Sequence, residues 1–203
     1  FPPLDDYKPS SDEPAYILLD EAGNITGAAS LMIQREYREA LTGRFRMFHS
    51  VFKEYENYKL LLDKILLHTS GLNDIYCFVD ETFTDTRNVW ESLGFGIKRY
   101  SWVLKRETEN YTSPAFPDGF LLKQLTTGRD EQAWCDIINE SFAGITGHVH
   151  LYPSKFDVWR KQPGHIEEGL KMLWHRDKPV GTIALTKENE NGEDMIFIEA
   201  VGL

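Results

Sequence analysis

Apolar and polar positions follow two rounds of strands and helices, separated by a polar stretch. Residues 16–20 (Tyr-Ile-Leu-Leu-Asp) form a short apolar run, Glu-Ala-Gly-Asn follows at 21–24, and a second run covers 25–33. Two such runs joined by a Gly/Asn turn predict a hairpin. Residues 44–51 alternate polar and apolar, the pattern of a half-buried strand. Tyr58, Leu61, Leu62, Ile65 and Leu66 fall at i, i+3, i+4, i+7 and i+8, one apolar stripe at the helical period. Gly71 stands behind it as a stop signal. Residues 74–79 are a continuous apolar run, which predicts a central strand buried on both faces. Residues 86–92 read as a short helix closing on Leu93-Gly94-Phe95, and 98–105 as a final strand. The aromatic set Phe45, Phe48, Tyr76 and Phe78 alternates on these strands and is expected in the core, with His49 a packed, hydrogen-bonded strand residue.

Residues 107–119 are polar, with two prolines and a glycine, a linker signature. Beyond them the pattern restarts. Residues 120–125 read as a strand, and Asp130 as the N-cap of a helix carrying Trp134, Ile137, Ile138 and Phe142. A second helix is expected over 154–160, then strands over 170–175 and 180–187 around a turn at 176–179. Asn191-Gly192 favours a type I′ hairpin turn, with the returning strand over 194–203.

The halves resemble each other. Residues 16–31 and 172–185 both run apolar strand, Asp-containing turn, then a glycine leading a strand of small residues. Gly27 stands 22 residues before His49, and Gly181 stands 20 before Val201. The pattern reads as a tandem repeat, its first copy seen from the second strand and its second broken after the fourth.

Composition narrows the class. The chain has 203 residues, 22 of them Lys or Arg and 32 Asp or Glu, for a net charge of −10. That length allows one or two domains. It buries roughly 70% of its unfolded surface without help from metals or disulfides. The acidic balance argues against broad nucleic-acid binding, which needs clustered cations. No apolar run approaches the ~18–20 residues of a membrane span. Cys77 and Cys135 lie in apolar contexts without ligand spacing and read as reduced core thiols of a cytoplasmic protein. The chain opens at Phe1 with no signal peptide and is expected to be a fragment.

The order of these elements, with Trp90-Glu-Ser-Leu-Gly-Phe95 in the first half and Asp130-Glu-Gln-Ala-Trp134 and Asn139-Glu-Ser-Phe142 in the second, resembles the GNAT superfamily of acyl-CoA-dependent N-acyltransferases. The resemblance implies an α+β fold of two GNAT-like domains, each a mainly antiparallel mixed sheet flanked by helices, at 1–109 and 110–203. It also implies acetyl-CoA as acyl donor and a small-molecule or peptide amine as acceptor.

Acetyl transfer needs backbone N–H groups for the pyrophosphate, a donor for the oxyanion and a base for the amine. The family's glycine-rich phosphate loop follows its fourth strand. The matching segment here, 53–59, has no glycine, carries Glu56 where a cation is expected and carries bulky Tyr58. Trp90 stands where many members carry a tyrosine acid. The first copy therefore reads as a degenerate, structural domain with the second catalytic. By resemblance, Val201 and Leu203 would offer backbone groups to the pantetheine arm, and the phosphate loop would begin just beyond Leu203. Glu199 is the one carboxylate inside 195–203. It reads as general base, directly or through water, or as a solvent-facing strand residue. His150 and Tyr152 lie in the loop that lines the acceptor site in the family. That loop also reads as ordinary surface. His148 and His150 have metal-like spacing, but no third ligand follows in register and no metal is expected. The acidic tip Glu188, Glu190, Glu193 and Asp194 is a solvated turn that could steer a cationic amine. A non-catalytic GNAT-like binding or scaffold protein is the alternative.

Overall fold

Asp20 closes the first turn. Its carboxylate accepts hydrogen bonds from the backbone N–H groups of Ala22 (2.9 Å) and Asn24 (2.8 Å). The chain there is a computed structural model describing residues 7–106, 112–190 and 192–203. The turn joins β1 (Ala15–Leu19) to β2 (Ile25–Met32), and β3 (Thr42–Ser50) pairs antiparallel with β2. A short helix α1 (Arg35–Glu39), without a periodic signal in the sequence, links β2 to β3. Helix α2 (Tyr55–Leu66) buries Tyr58, Leu61, Leu62 and Ile65, four of the five stripe residues. Leu66, the fifth, is exposed instead. The helix stops before Gly71, which takes a left-handed φ of 81° in the turn that follows.

Strand β4 (Asp74–Tyr76) corrects the expectation for 74–79. It is three residues long, pairs in parallel with β3 only over Thr42–Arg44, and is an edge in the order β1-β2-β3-β4. Phe78 and Val79, past the end of that ladder, are exposed. Tyr76 is half-buried, so of the four aromatics only Phe45 and Phe48 are core. Helix α3 (Thr84–Ser92) follows and closes through Gly94, at φ 92°, with Phe95 N–H on Trp90 O at 3.0 Å. The expected strand over 98–105 is absent. Described residues 98–105 are irregular, and Tyr100, Trp102, Val103 and Leu104 are exposed. Alternation supplies a strand's faces but not its hydrogen bonds, and this segment joins no ladder.

The second half builds β5 (Phe120–Gln124), α4 (Glu131–Phe142), α5 (Lys155–Trp159), β6 (His165–His175), β7 (Lys178–Glu190) and β8 (Glu193–Gly202). The sheet is antiparallel throughout, in the order β5-β6-β7-β8. Asp130 occupies the N-cap position but does not cap α4 with its side chain. Its carboxylate accepts from Thr126 N–H (2.8 Å) and ion-pairs with Arg129. The β7–β8 pairing runs to Glu190 opposite Glu193, and Gly192 has φ 87°. Asn191 and the expected linker's residues 107–111 lie outside the described residues.

Packing divides the chain into a unit ending at Ser101 and a unit Trp102–Leu203. One core gathers Leu31, Ile33, Phe48, Tyr58, Leu61, Ile65 and Trp90, the other Trp134, Cys135, Ile138, Phe156, Met172 and Ala184. The sheets repeat a register. Ser30 and Leu31 pair with Met47 and Phe45, leaving Arg46 as the extra residue of a bulge. Ala184 and Leu185 pair with Ala200 and Ile198, leaving Glu199 in the same place.

Candidate functional site

β3 and β4 stop pairing at Arg44 and Tyr76, while β3 continues to Ser50. Between the diverging ends lies a cleft of about 500 Å³, within the size range of small-ligand pockets. Phe48 and Trp90, both buried, line it with the exposed rings of Phe78 and Phe83 and the carboxylates of Asp80 and Asp85. Phe48 stacks on Trp90 with ring centroids 5.4 Å apart. Trp90 Nε1 is buried without a hydrogen-bond partner. On the β3 side, the Lys53 ammonium meets Ser50 O (2.7 Å), Tyr58 Oη (3.3 Å) and His49 Nδ1 (3.3 Å). His49 is exposed rather than packed. Its partial desolvation, followed by the nearby Lys53 charge, lowers its pKa. Asp80 accepts from Thr82 N–H and Oγ1, and those bonds hold its pKa below the usual carboxylate value.

The segment that reads as a degenerate phosphate loop enters α2. Glu56 is exposed in the first turn of that helix, and Tyr58 is fully buried against the edge of Phe48 at 5.2 Å. The hydroxyl of Tyr58 meets Lys53, so the ring belongs to the core beneath the cleft.

In the second unit, Glu199 is exposed at its bulge, Val201 is exposed, and Leu203 is 81% exposed. The edge of β8 away from β7 has no strand partner among the described residues. Gly202 is buried against α4, where an added Cβ would meet Ile138, Ser141 and Thr182 atoms, each at 3.1 Å. Leu203 N–H donates to Ser141 Oγ at 3.0 Å. A cofactor amide using that N–H would have to displace Ser141. His150 and Tyr152 stand together with ring centroids 4.6 Å apart. Asn139 holds their loop to α4, donating to Leu151 O (2.9 Å) and accepting from Leu151 N–H (2.8 Å), with His150 Nε2 at 3.2 Å from its Nδ2. α4 thus carries tethers to both the His150 loop and the end of β8. A smaller cavity of about 120 Å³, lined by Arg160 and His165 among others, includes none of the five predicted site residues.

Among the described residues no cluster of three or more His, Cys, Asp or Glu is arranged to hold a metal. Both thiols are free. Burial pushes Cys77 up to about 12 and, as the main cause, Cys135 up to about 11, leaving them protonated and unreactive. Asp194, at the acidic tip, is paired with Lys187 at 2.9 Å. No described helix is long and apolar enough to cross a membrane.

Sequence reasoning missed the cleft in the first unit. Phe78 reads as a strand core residue, and only the Asp80/Thr82 turn ahead of α3, flanked by Phe78 and Phe83, marks the cleft in the sequence.

No family model and no curated protein matches the chain. Among solved structures, a GCN5-related N-acetyltransferase from Sphaerobacter thermophilus is similar, with a TM-score of 0.61 and 13% identity over 98% of this chain and 63% of its own. The chain therefore spans less than two thirds of that protein's length. The likeness is one of fold: this chain and that protein share a mixed α+β arrangement.

Proposed function

We propose that the chain belongs to an acetyl-CoA-dependent N-acetyltransferase built from two GNAT-like domains, with the second catalytic and the first not catalytic. The observation that carries this reading is the bulge of β8. It sets Glu199 out of the ladder, exposed, beside a strand edge that no other described strand occupies. A ligand with amide groups can add to such an edge as a further strand does. Val201 and Leu203 would offer backbone groups to the pantetheine arm once Ser141 yields the Leu203 amide. Glu199 would take the proton of the attacking amine, directly or through water, and His150 and Tyr152 would contact the acceptor. The first unit lacks glycines over 53–59 and presents Glu56 at the start of α2, which disfavours a pyrophosphate there.

The test is Glu199→Gln in the full-length enzyme. Amine acetylation at neutral pH should fall about 10²–10⁴-fold in kcat/KM, the usual contribution of a general base. Acetyl-CoA affinity should stay nearly unchanged, and the defect should narrow at high pH, where the amine loses its own proton. Activity within about twofold of the parent would remove Glu199 from the mechanism. The cleft of the first unit favours a second reading, a ligand-binding protein without transferase activity. Absence of acetyl transfer from the full-length protein, with small molecules still binding in that cleft, would select it.

A further inference from the structure

The charges around the cleft of the first unit are unequally satisfied. Its floor is aromatic: Phe48 and Trp90 are 6% and 7% exposed, while the Phe83 ring is 61% exposed and makes no ring contact among the described residues. Asp80 and Asp85 are the carboxylates of the lining. Thr82 N–H (2.8 Å) and Thr82 Oγ1 (2.6 Å) both donate to Asp80 Oδ1, so Oδ2 accepts no hydrogen bond from a described residue. Those bonds keep Asp80 ionised at neutral pH. The Asp85 carboxylate, in the first turn of α3, has no hydrogen-bond or ion-pair partner among the described residues.

The positive side is already committed. The Lys53 ammonium meets Ser50 O, Tyr58 Oη and His49 Nδ1, one acceptor for each of its three protons. His49, with its pKa lowered, is neutral at pH 7. The lining thus sets one saturated cation, Lys53, against two carboxylates with acceptor capacity to spare. An incoming anion would meet those carboxylates and no unused N–H of Lys53. An incoming cation finds the reverse. It is turned away from one ring, because the guanidinium carbons of Arg44 and Arg99 lie 5.0 and 5.7 Å from the Phe78 centroid. Phe83 carries no such group, and an aromatic face beside a carboxylate attracts an organic cation.

We propose that this cleft binds a small aromatic ammonium ion, its ring against Phe48 and Trp90 and its charge held by Phe83, Asp80 and Asp85. A cleft of about 500 Å³ has room for such a ligand. This gives a ligand class to the ligand-binding reading of the cleft, and acetyl transfer by the second unit neither supports nor excludes it.

The probe is benzyltrimethylammonium, whose nitrogen cannot be acetylated, so that binding is measured apart from any transfer. It is titrated into the full chain while the indole N–H resonance of Trp90 is followed by NMR. That resonance should shift and saturate below about 10 mM. Benzyl alcohol, which has the ring without the charge, should bind about two- to fivefold more weakly, the weight of an exposed charge contact. Asp80→Asn keeps an oxygen for the Thr82 bonds and removes the charge. It should weaken the cation by a similar factor and leave benzyl alcohol unchanged. Phe83→Ala should weaken the cation about two- to fivefold. No movement of the Trp90 resonance over that concentration range overturns the proposal. So does equal binding of cation and alcohol, or a cation affinity that neither Asp80→Asn nor Phe83→Ala alters. Displacement of the cation by acetyl-CoA would make the cleft a cofactor site and overturn it as well.

Discussion

Charge at single residues is handled by near neighbours. Glu13 and Arg46 form an ion pair in the first unit, both side chains largely buried, and Gln34 and Ser30 also donate to Glu13. The pairing raises the pKa of Arg46, chiefly through its hydrogen bond to Glu13. Removing one partner from such a pair costs more than the pair itself contributes, because the remaining charge stays desolvated. The histidines act in the opposite sense. His49 and His148 have depressed pKa values, first through desolvation and then through Lys53 and His150 respectively. The unfolded chain protonates these groups near pH 6.5, before the folded chain does. Their contribution is full above that pH and lost as pH falls through the folded pKa values. The thermal midpoint should therefore decline from pH 7 towards pH 5, and His49→Gln should make the decline shallower. An unchanged pH slope in the variant would show that His49 does not contribute to it.

Among the elements, α4 is the organiser of the second unit. Trp134, Cys135 and Ile138 pack it into the core, Asn139 fixes the loop at 150–152, and Ser141 meets the end of β8. Arg160, from the end of α5, bonds Glu131 at 2.8 Å and ties the two helices together. Asn139→Ala leaves the N–H and C=O of Leu151 without their partners. The expected cost is about 1–3 kcal/mol if those groups stay buried, and less if the loop opens to water. Hydrogen exchange discriminates the tether from mere packing: the Leu151 amide should lose protection while the amide of Trp134 in α4 keeps it. Equal protection of Leu151 in parent and variant would show that the loop is held by other contacts.

At the scale of the molecule, the chain maintains two cores that share no residue. Leu61 is 1% exposed in one and Met172 is fully buried in the other. Truncating either to alanine should cost about 2–5 kcal/mol, from lost transfer energy plus the cavity left behind. With no shared packing partners the two costs should add within about 0.5 kcal/mol in the double variant, read by urea denaturation. A larger coupling energy would mean that the cores communicate.

Local pattern carried much of the architecture. The hairpins at 20–24 and 176–177, the stripe of α2 and the helix holding Trp134 were all legible, because a 2.0 or 3.6 residue period records which side of an element is buried. The exposed bulge residue Glu199 was legible as a carboxylate in a strand, though not as the extra residue of a bulge. What the sequence did not contain was partnership. Residues 98–105 alternate as a strand does, yet form none among the described elements. Residues 74–79 read as a buried centre and became a three-residue edge with Phe78 exposed. Both outcomes depend on which distant backbone supplies hydrogen bonds, and no periodicity within a segment encodes that. The cleft arises for the same reason. It exists because β3 outruns its ladder with β4, so residues 30 positions apart, Phe48 and Phe78, come to line one cavity. The order of apolar and polar residues along the chain determined the faces of its elements, and tertiary pairing decided which of those faces met a partner.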